Sequence, residues 1–223
     1  MIEAKKLQTR SGTLEYVVSG RGRPAIVLFN GAGMTLDGWR ALYSRIESLG
    51  AVVAWNRFGV EGSAPPQRMQ SGAVVVASVR ELLRYVGIDP PYVLVGHSMG
   101  ALYAELFARL HPDEVAGLLA LAPADPDRVA TLDEESIERS LSKVQQKPAD
   151  DFRENLIAEV DAVACLAEEI ANAGAFPDVP LSKFDGKGGH FPQLSEPERV
   201  LNEVERLVRR SRQAASSSLS PQA

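Results

Sequence analysis

A serine between two glycines, Gly96 and Gly100, is the residue of this chain best placed for nucleophilic chemistry. It follows the apolar run 92–95 and directly precedes a helix-like stretch. A serine at the tip of a sharp strand-turn-helix unit has a strained backbone and leaves no room for side chains two residues to either side, so glycine suits both positions. The turn would aim the Met99 amide and the start of the helix at an oxyanion formed above Ser98. The spacing therefore indicates acyl transfer.

The elements that must position this serine alternate along the chain between short apolar runs and helix-like stretches. Such alternation predicts an α/β fold with a mostly parallel sheet and helices on both faces. Strand-like runs occur at 14–18, 25–29, 51–55, 92–95, 115–121 and 180–184. Helix-like stretches occur at 39–49, 74–86, 99–110, 132–144 and 151–171, and from 195 to about 211. The serine thus lies at the end of a central strand.

The composition of the chain argues against nucleic-acid-binding and membrane-spanning proteins. The 223 residues are 45% hydrophobic, enough for one sizeable core, and the net charge of −5 gives no basic footprint for nucleic acid. No apolar run approaches the length of a membrane span, and the first residues lack a signal-peptide core. The single cysteine, Cys165, is interpreted as a packing residue. We expect a soluble cytoplasmic protein.

One segment differs from the rest in charge and in secondary structure. Residues 128–172 show no strand pattern and contain eleven acidic and five basic residues, a net charge of −6, which leaves the remainder near +1. Two interpretations are open: a small helical cap over the sheet, or a solvated helical pair with no role in binding. We predict a core of residues 1–127 and 173–212, a cap insert at 128–172, and a disordered Ser-rich and Ala-rich tail at 213–223.

Four motifs together resemble the α/β-hydrolase superfamily, especially its small bacterial esterase-like and haloperoxidase-like members, over about residues 12–210. They are Leu-Phe-Asn-Gly-Ala-Gly at 28–33, Asn-Arg-Phe-Gly-Val-Glu-Gly-Ser at 56–63, the serine motif at 96–100, and Gly-Gly-His-Phe-Pro-Gln at 188–193. The family places its oxyanion loop, serine and histidine in this order. The resemblance therefore implies an α/β-hydrolase fold.

The resemblance also implies roles for particular residues. Ser98 would be the nucleophile and His190 its general base, with the amides of Ala32 and Met99 as the oxyanion hole. The histidine before the serine, His97, is interpreted as a filler of the turn that points elsewhere. The chain departs from the family pattern at position 30, where an asparagine replaces the histidine common in relatives, and this change could alter how the oxyanion loop is braced.

The acid of the triad is left open by the sequence. Relatives often have the aspartate in the loop after the strand that follows the serine's helix. This chain has Ala122 at that position, although Asp125 lies three residues later. In other relatives the acid lies one strand later. Asp185 is the candidate there, but only four residues separate it from His190. A strand and a helix present in relatives are therefore predicted to be missing between the last strands. Asp185 and Asp125 are both retained as candidates.

We expect a serine hydrolase without a cofactor, acting on a small-molecule carboxylic ester, thioester or lactone. Histidines at 97, 111 and 190 with one cysteine do not have metal-ligand spacing, and the third glycine of a dinucleotide fingerprint would fall at Leu36. Within the fold, the alternatives are a perhydrolase (haloperoxidase-like) and a C–C bond hydrolase. From another class, a protein that binds a small molecule with weak or no turnover is also open.

Overall fold

A seven-stranded sheet forms the centre of the molecule in this computed structural model, which describes residues 3–67, 70–129, 135–136, 139, 152–185 and 189–218. The strands are β1 (Lys5–Thr9), β2 (Gly12–Ser19), β3 (Ala25–Phe29), β4 (Val52–Asn56), β5 (Tyr92–His97), β6 (Val115–Leu121) and β7 (Leu181–Phe184). Their order across the sheet is β1-β2-β4-β3-β5-β6-β7. The pairs β1–β2 and β2–β4 are antiparallel and all other pairs are parallel. The fold-class prediction is confirmed.

The helices cover both faces of this sheet. They are α1 (Arg40–Ile46), α2 (Gly72–Tyr85), α3 (Met99–Leu110), α4 (Pro126–Val129), α5 (Phe152–Asn172), α6 (Pro192–Ser195) and α7 (Pro197–Ser218). Apolar residues of α2, α3 and α5 share one buried cluster, whereas those of α1 and α7 pack on the opposite face. Strands β3, β4 and β5 are buried along their whole length, as expected for parallel strands covered on both sides.

Helix α5 comes from the acidic segment and packs against α2, α3 and α4. Near its carboxyl end, the Glu169 carboxylate accepts hydrogen bonds from the amides of Gly72 (3.0 Å) and Ala73 (2.8 Å) at the start of α2. A carboxylate is favourable there because the first amides of a helix lack partners inside it. The predicted helix 132–144 lies outside the described residues, apart from positions 135, 136 and 139.

The carboxyl-terminal part of the chain agrees with the predicted shortening. Strand β7 pairs with β6, and the described residues between β7 and α6 contain no further strand or helix. Helix α7 continues to Ser218, so the predicted disordered tail is wrong for residues 213–218. Arg212 holds this helix to the core by donating hydrogen bonds to the carbonyls of Arg23 and Leu49. No helix among the described residues is long and apolar enough to cross a membrane.

Candidate active site

Ser98 occupies the turn between β5 and α3 with a backbone φ of 51° and ψ of −122°. A non-glycine residue with positive φ is strained, and such strain is common at functional sites. The flanking glycines are required by close packing: a Cβ at Gly96 would lie 2.5 Å from the Ala101 Cα, and one at Gly100 would lie 2.2 Å from the Phe29 carbonyl oxygen. The turn therefore has the geometry that the spacing of its glycines predicted.

His190 reaches this serine from the other end of the sequence. Its Nε2 lies 3.1 Å from the Ser98 Oγ, although 92 residues separate the two in the chain. The histidine is exposed and the serine is half-buried, so both are open to a ligand. At this distance the serine hydroxyl can donate to an unprotonated Nε2, which is the arrangement needed for a general base.

The neighbouring His97 supports the backbone of His190. The His97 ring is buried and its Nε2 lies 2.7 Å from the His190 carbonyl oxygen, which can only accept, so Nε2 carries the proton. Burial, with the nearby His190 as a smaller cause, lowers the pKa of His97 to about 3. Its Nδ1 is buried and has no hydrogen-bond partner among the described residues. The burial of His97 agrees with its interpretation as a filler of the turn, but the expectation that it points elsewhere is wrong, because its ring faces His190.

Ala32, the proposed oxyanion donor, lies in the loop that follows β3. Arg57 donates hydrogen bonds to the carbonyls of Asn30 (2.6 Å) and Gly31 (2.7 Å), just before Ala32. The amide of Gly33, just after it, donates to the Glu159 Oε2 over 2.7 Å. Within the described part of the chain, the Ala32 amide itself donates no hydrogen bond, so it is available to a ligand.

Asn30 is integrated into the support of this loop. Its Nδ2 donates to the Trp55 carbonyl (2.9 Å), and its Oδ1 accepts from the Trp39 Nε1 (2.6 Å). All three residues are almost completely buried. Buried polar groups need such partners, so the asparagine braces the loop at the position where relatives commonly carry histidine.

Arg57 and Glu159 form a buried ion pair beside the loop, which no local sequence pattern predicts. The Arg57 Nε lies 2.6 Å from the Glu159 Oε1, and the two side chains are only 3% and 4% exposed. Burial lowers the pKa of Arg57, but attraction to Glu159 outweighs this effect and leaves that pKa above its ordinary value. The guanidinium also lies 5.4 Å from the centre of the Tyr103 ring. The pair joins α5 to the end of β4.

The two candidate acids lie in different surroundings. Asp125 is exposed, and its Oδ1 accepts a hydrogen bond from the Asp127 amide (3.1 Å) at the start of α4. Asp185 is exposed directly after β7. Among the described residues, no hydrogen bond joins either carboxylate to the imidazole of His190. Ala122 occupies the position where relatives often have aspartate. It has a φ of 40°, and its amide donates a hydrogen bond to the Phe184 carbonyl (2.7 Å).

A small apolar cluster lies under α5 next to the oxyanion loop. Met34 and Leu156 are buried in it, and Ala32, Val160 and Phe191 pack against them while remaining partly open to solvent. The cluster offers apolar surface near the loop. In the described ranges, no group of three or more His, Cys, Asp or Glu side chains has the arrangement of a metal site.

Comparisons with known proteins agree with this architecture. The N-acyl homoserine lactonase AidH, solved with N-hexanoyl homoserine lactone, superposes with a TM-score of 0.72 at 14% identity, over 95% of this chain and 99% of that one. The carboxylesterase CesB of Bacillus subtilis gives a TM-score of 0.64 at 17% identity, over 93% and 92% of the two chains. At these identities the likeness shows the fold alone.

Sequence relatives cover shorter stretches. The uncharacterized Bacillus subtilis protein YqjL is 27% identical over 105 residues, which are 47% of this chain and 42% of that protein. YbdG of the same organism is 24% identical over 122 residues, 54% of this chain and 38% of that protein. The matches thus span less than half the length of these curated relatives. A family model described as the alpha/beta hydrolase fold matches residues 24–163. The chain therefore belongs to the α/β-hydrolase fold family.

Proposed function

We propose that the protein is a serine hydrolase that cleaves a carboxylic ester, thioester or lactone through an acyl-enzyme on Ser98. The observation that carries this proposal is the 3.1 Å contact between the Ser98 Oγ and the His190 Nε2. A nucleophile within hydrogen-bond reach of a base is the arrangement that activates a serine. The positive φ of Ser98 and its place at the start of α3 add support.

The reaction follows from these positions. The Ser98 Oγ attacks the substrate carbonyl carbon while His190 accepts the hydroxyl proton at Nε2. The amides of Ala32 and Met99 stabilise the oxyanion of the tetrahedral intermediate. His190 then donates its proton to the departing alcohol or thiol, which stays tethered when the substrate is a lactone. A water molecule, deprotonated by His190, hydrolyses the acyl-enzyme and regenerates the serine.

Asp185 is the better candidate for the carboxylate that orients His190. It follows β7, two strands from β5 in the sheet, and its side chain makes no hydrogen bond to another described residue. The Asp125 carboxylate already accepts the Asp127 amide. Loss of the acid from the catalytic triad of a serine protease lowers kcat by about 10⁴. We expect Asp185→Asn to lower kcat by more than about a hundredfold and Asp125→Asn by less than about threefold, with the reverse order assigning the role to Asp125.

The substrate class is proposed from the surroundings of the serine. The partly open side of the Met34 and Leu156 cluster would accept an apolar acyl group. The acidic segment that contributes α5 would disfavour polyanionic thioesters. Because two structural neighbours are a carboxylesterase and an N-acyl homoserine lactonase, we would test an ester and a lactone first.

Purified protein incubated with p-nitrophenyl esters of graded acyl length and with an N-acyl homoserine lactone tests the proposal. We expect turnover of at least one of these substrates, with Ser98→Ala reducing it to background. Turnover that persists in the Ser98→Ala variant would show that another group performs the chemistry. Absence of turnover with all of them would count against these substrate classes.

A second candidate function is binding of a small molecule with weak or no turnover. The observation that favours it is Ala122, which occupies the position in the loop after β6 where relatives often have the aspartate of the triad. A fluorophosphonate probe separates the two functions, because it modifies only an activated serine. Rapid labelling at Ser98 would rule out the binding function, and slow labelling equal to that of His190→Ala would favour it.

A further inference from the structure

Two carboxylates of α5 hold backbone amides of the core, but they hold different parts of it. Glu169 binds the first amides of α2, which is a structural contact far from the oxyanion loop in sequence. Glu159 binds the Gly33 amide and the Arg57 guanidinium, both next to that loop. The exposure of Glu159 is 4%, so it is not the solvated acidic residue that the charge of its segment suggests.

We propose that Glu159 is a positioning residue that fixes the oxyanion loop in its productive conformation, a role that rests on the proposed function. The loop contains glycines at 31 and 33, and Gly33 adopts a φ of 62°. Such a sequence has wide conformational freedom unless its surroundings restrict it. An oxyanion hole is effective only when its donors are held in place before the reaction.

The contacts on the two sides of Ala32 supply this restriction. Before it, the carbonyls of Asn30 and Gly31 both face Arg57. After it, the amide of Gly33 faces Glu159. The Gly31 carbonyl and the Ala32 N–H belong to one planar peptide group, so the contact with Arg57 fixes the direction of the Ala32 amide, and the contact of Gly33 with Glu159 orients the next peptide group. Glu159 contributes to both sides, since it binds Gly33 directly and also binds Arg57.

Arg57 can hold the loop only while its own buried charge is neutralised. A guanidinium that is 3% exposed loses its hydration, and an uncompensated charge in such a place is strongly unfavourable. Glu159 compensates it with two contacts, from Nε to Oε1 at 2.6 Å and from Nη2 to Oε2 at 3.1 Å. The carboxylate on α5 therefore sets the position of the arginine as well as that of the glycine amide.

Three variants and a matched control test the proposal. Glu159→Ala removes both interactions, and Glu159→Gln keeps an amide oxygen that can accept from Gly33. The double variant Arg57→Leu/Glu159→Leu removes the buried charges together, which proteins often tolerate. The control is Glu169→Ala, which removes a carboxylate of the same helix that binds amides outside the loop. Steady-state kinetics on an ester or lactone substrate are measured well below the melting temperature of each variant.

We expect Glu159→Ala and the double variant to lower kcat by about 10- to 100-fold with KM changed by less than about twofold. Glu159→Gln should lower kcat by less than Glu159→Ala, because it can keep the bond to Gly33 but leaves the buried charge of Arg57 uncompensated. Glu169→Ala should retain kcat within about threefold of the wild type despite a lower melting temperature. If Glu159→Ala fails to fold, the double variant gives the same comparison. Equal losses of kcat in the Glu159 and Glu169 variants, or an unchanged kcat in the double variant, would overturn the proposal.

A second measurement does not depend on activity. Hydrogen exchange of the Gly33 amide, followed by NMR, should be slow in the wild type and in Glu169→Ala but faster by at least about tenfold in the double variant. A Gly33 amide that exchanges like an exposed loop in the wild type would overturn the role of Glu159 even in an active enzyme. If fluorophosphonate instead fails to label the wild type while Gly33 is protected, the loop is held by Glu159 and the proposed hydrolase function is what has failed.

Discussion

His97 makes the stability of the fold depend on pH in a way that can be tested at one residue. The substitution is His97→Gln, because a glutamine amide can still donate to the His190 carbonyl but does not titrate. We expect the free energy of unfolding of this variant to stay within about 1 kcal/mol of the wild type at pH 7. At acidic pH the two proteins should differ, since the pKa of His97 is lowered to about 3 in the folded state.

The magnitude follows from the two protonation equilibria. In the unfolded chain this histidine has its ordinary pKa of 6.5, so below that pH the unfolded state binds a proton that the folded state does not. Stability therefore falls as pH decreases from about 6.5 towards 3, by about 1.4 kcal/mol per pH unit. Between pH 7 and pH 5 the loss attributable to His97 is about 2 kcal/mol. Glutamine at this position abolishes it.

Urea denaturation of both proteins at pH 7 and pH 5 measures this difference. The wild type should lose about 2 kcal/mol more than His97→Gln over this interval. Other titrating groups affect both proteins, so the comparison isolates one site. His111→Gln is the control, because His111 is partly exposed and its variant should keep most of the wild-type pH dependence. An identical loss in the wild type and in His97→Gln would refute a neutral, buried His97.

Three further predictions concern the backbone around the site and the anchor of α5. Ser98→Gly should raise the free energy of unfolding by about 1 kcal/mol relative to Ser98→Ala, because glycine adopts the positive φ of this turn without strain. Gly100→Ala should lower it by about 2 kcal/mol or more, because the new Cβ would meet the Phe29 carbonyl oxygen, whereas Gly174→Ala should change it by less than about 0.5 kcal/mol. Glu169→Ala should lower it by about 1 to 2 kcal/mol through loss of the α2 amide contacts. Denaturant titration of each variant measures all three changes.

Most of the sheet could be predicted because its strands carry their own apolar runs. Strand β1 could not, since only Leu7 and Thr9 of its five residues are buried and the others face solvent. Its conformation comes from antiparallel pairing with β2, which a local hydrophobic pattern does not reveal. The end of α7 was missed for a related reason. Contacts of Arg212 with distant carbonyls hold a segment whose composition alone suggests disorder.

The candidate active site shows the same division between local and long-range information. Ser98 and its glycines could be recognised because the turn requires them within five residues. Glu159 could not, because its partners Gly33 and Arg57 are more than 100 residues away and acidic neighbours in the sequence hide it. The role of His97 depends equally on a loop from the far end of the chain. Long-range polar partners leave no periodic trace in a sequence.

The double attachment of α5 has a consequence for the engineering of this protein. Glu159 and Glu169 lie ten residues apart, about 15 Å along the helix, and each accepts hydrogen bonds from a different part of the core. Helices next to a candidate active site are attractive units to exchange between homologues when a new substrate range is wanted. A helix that replaces α5 must supply both carboxylates. Without the first, the loop after β3 loses its contact, and without the second, the start of α2 does. Redesign is therefore better directed at Phe191, which is partly exposed beside the Met34 and Leu156 cluster and takes no part in the contacts of Glu159 or Glu169.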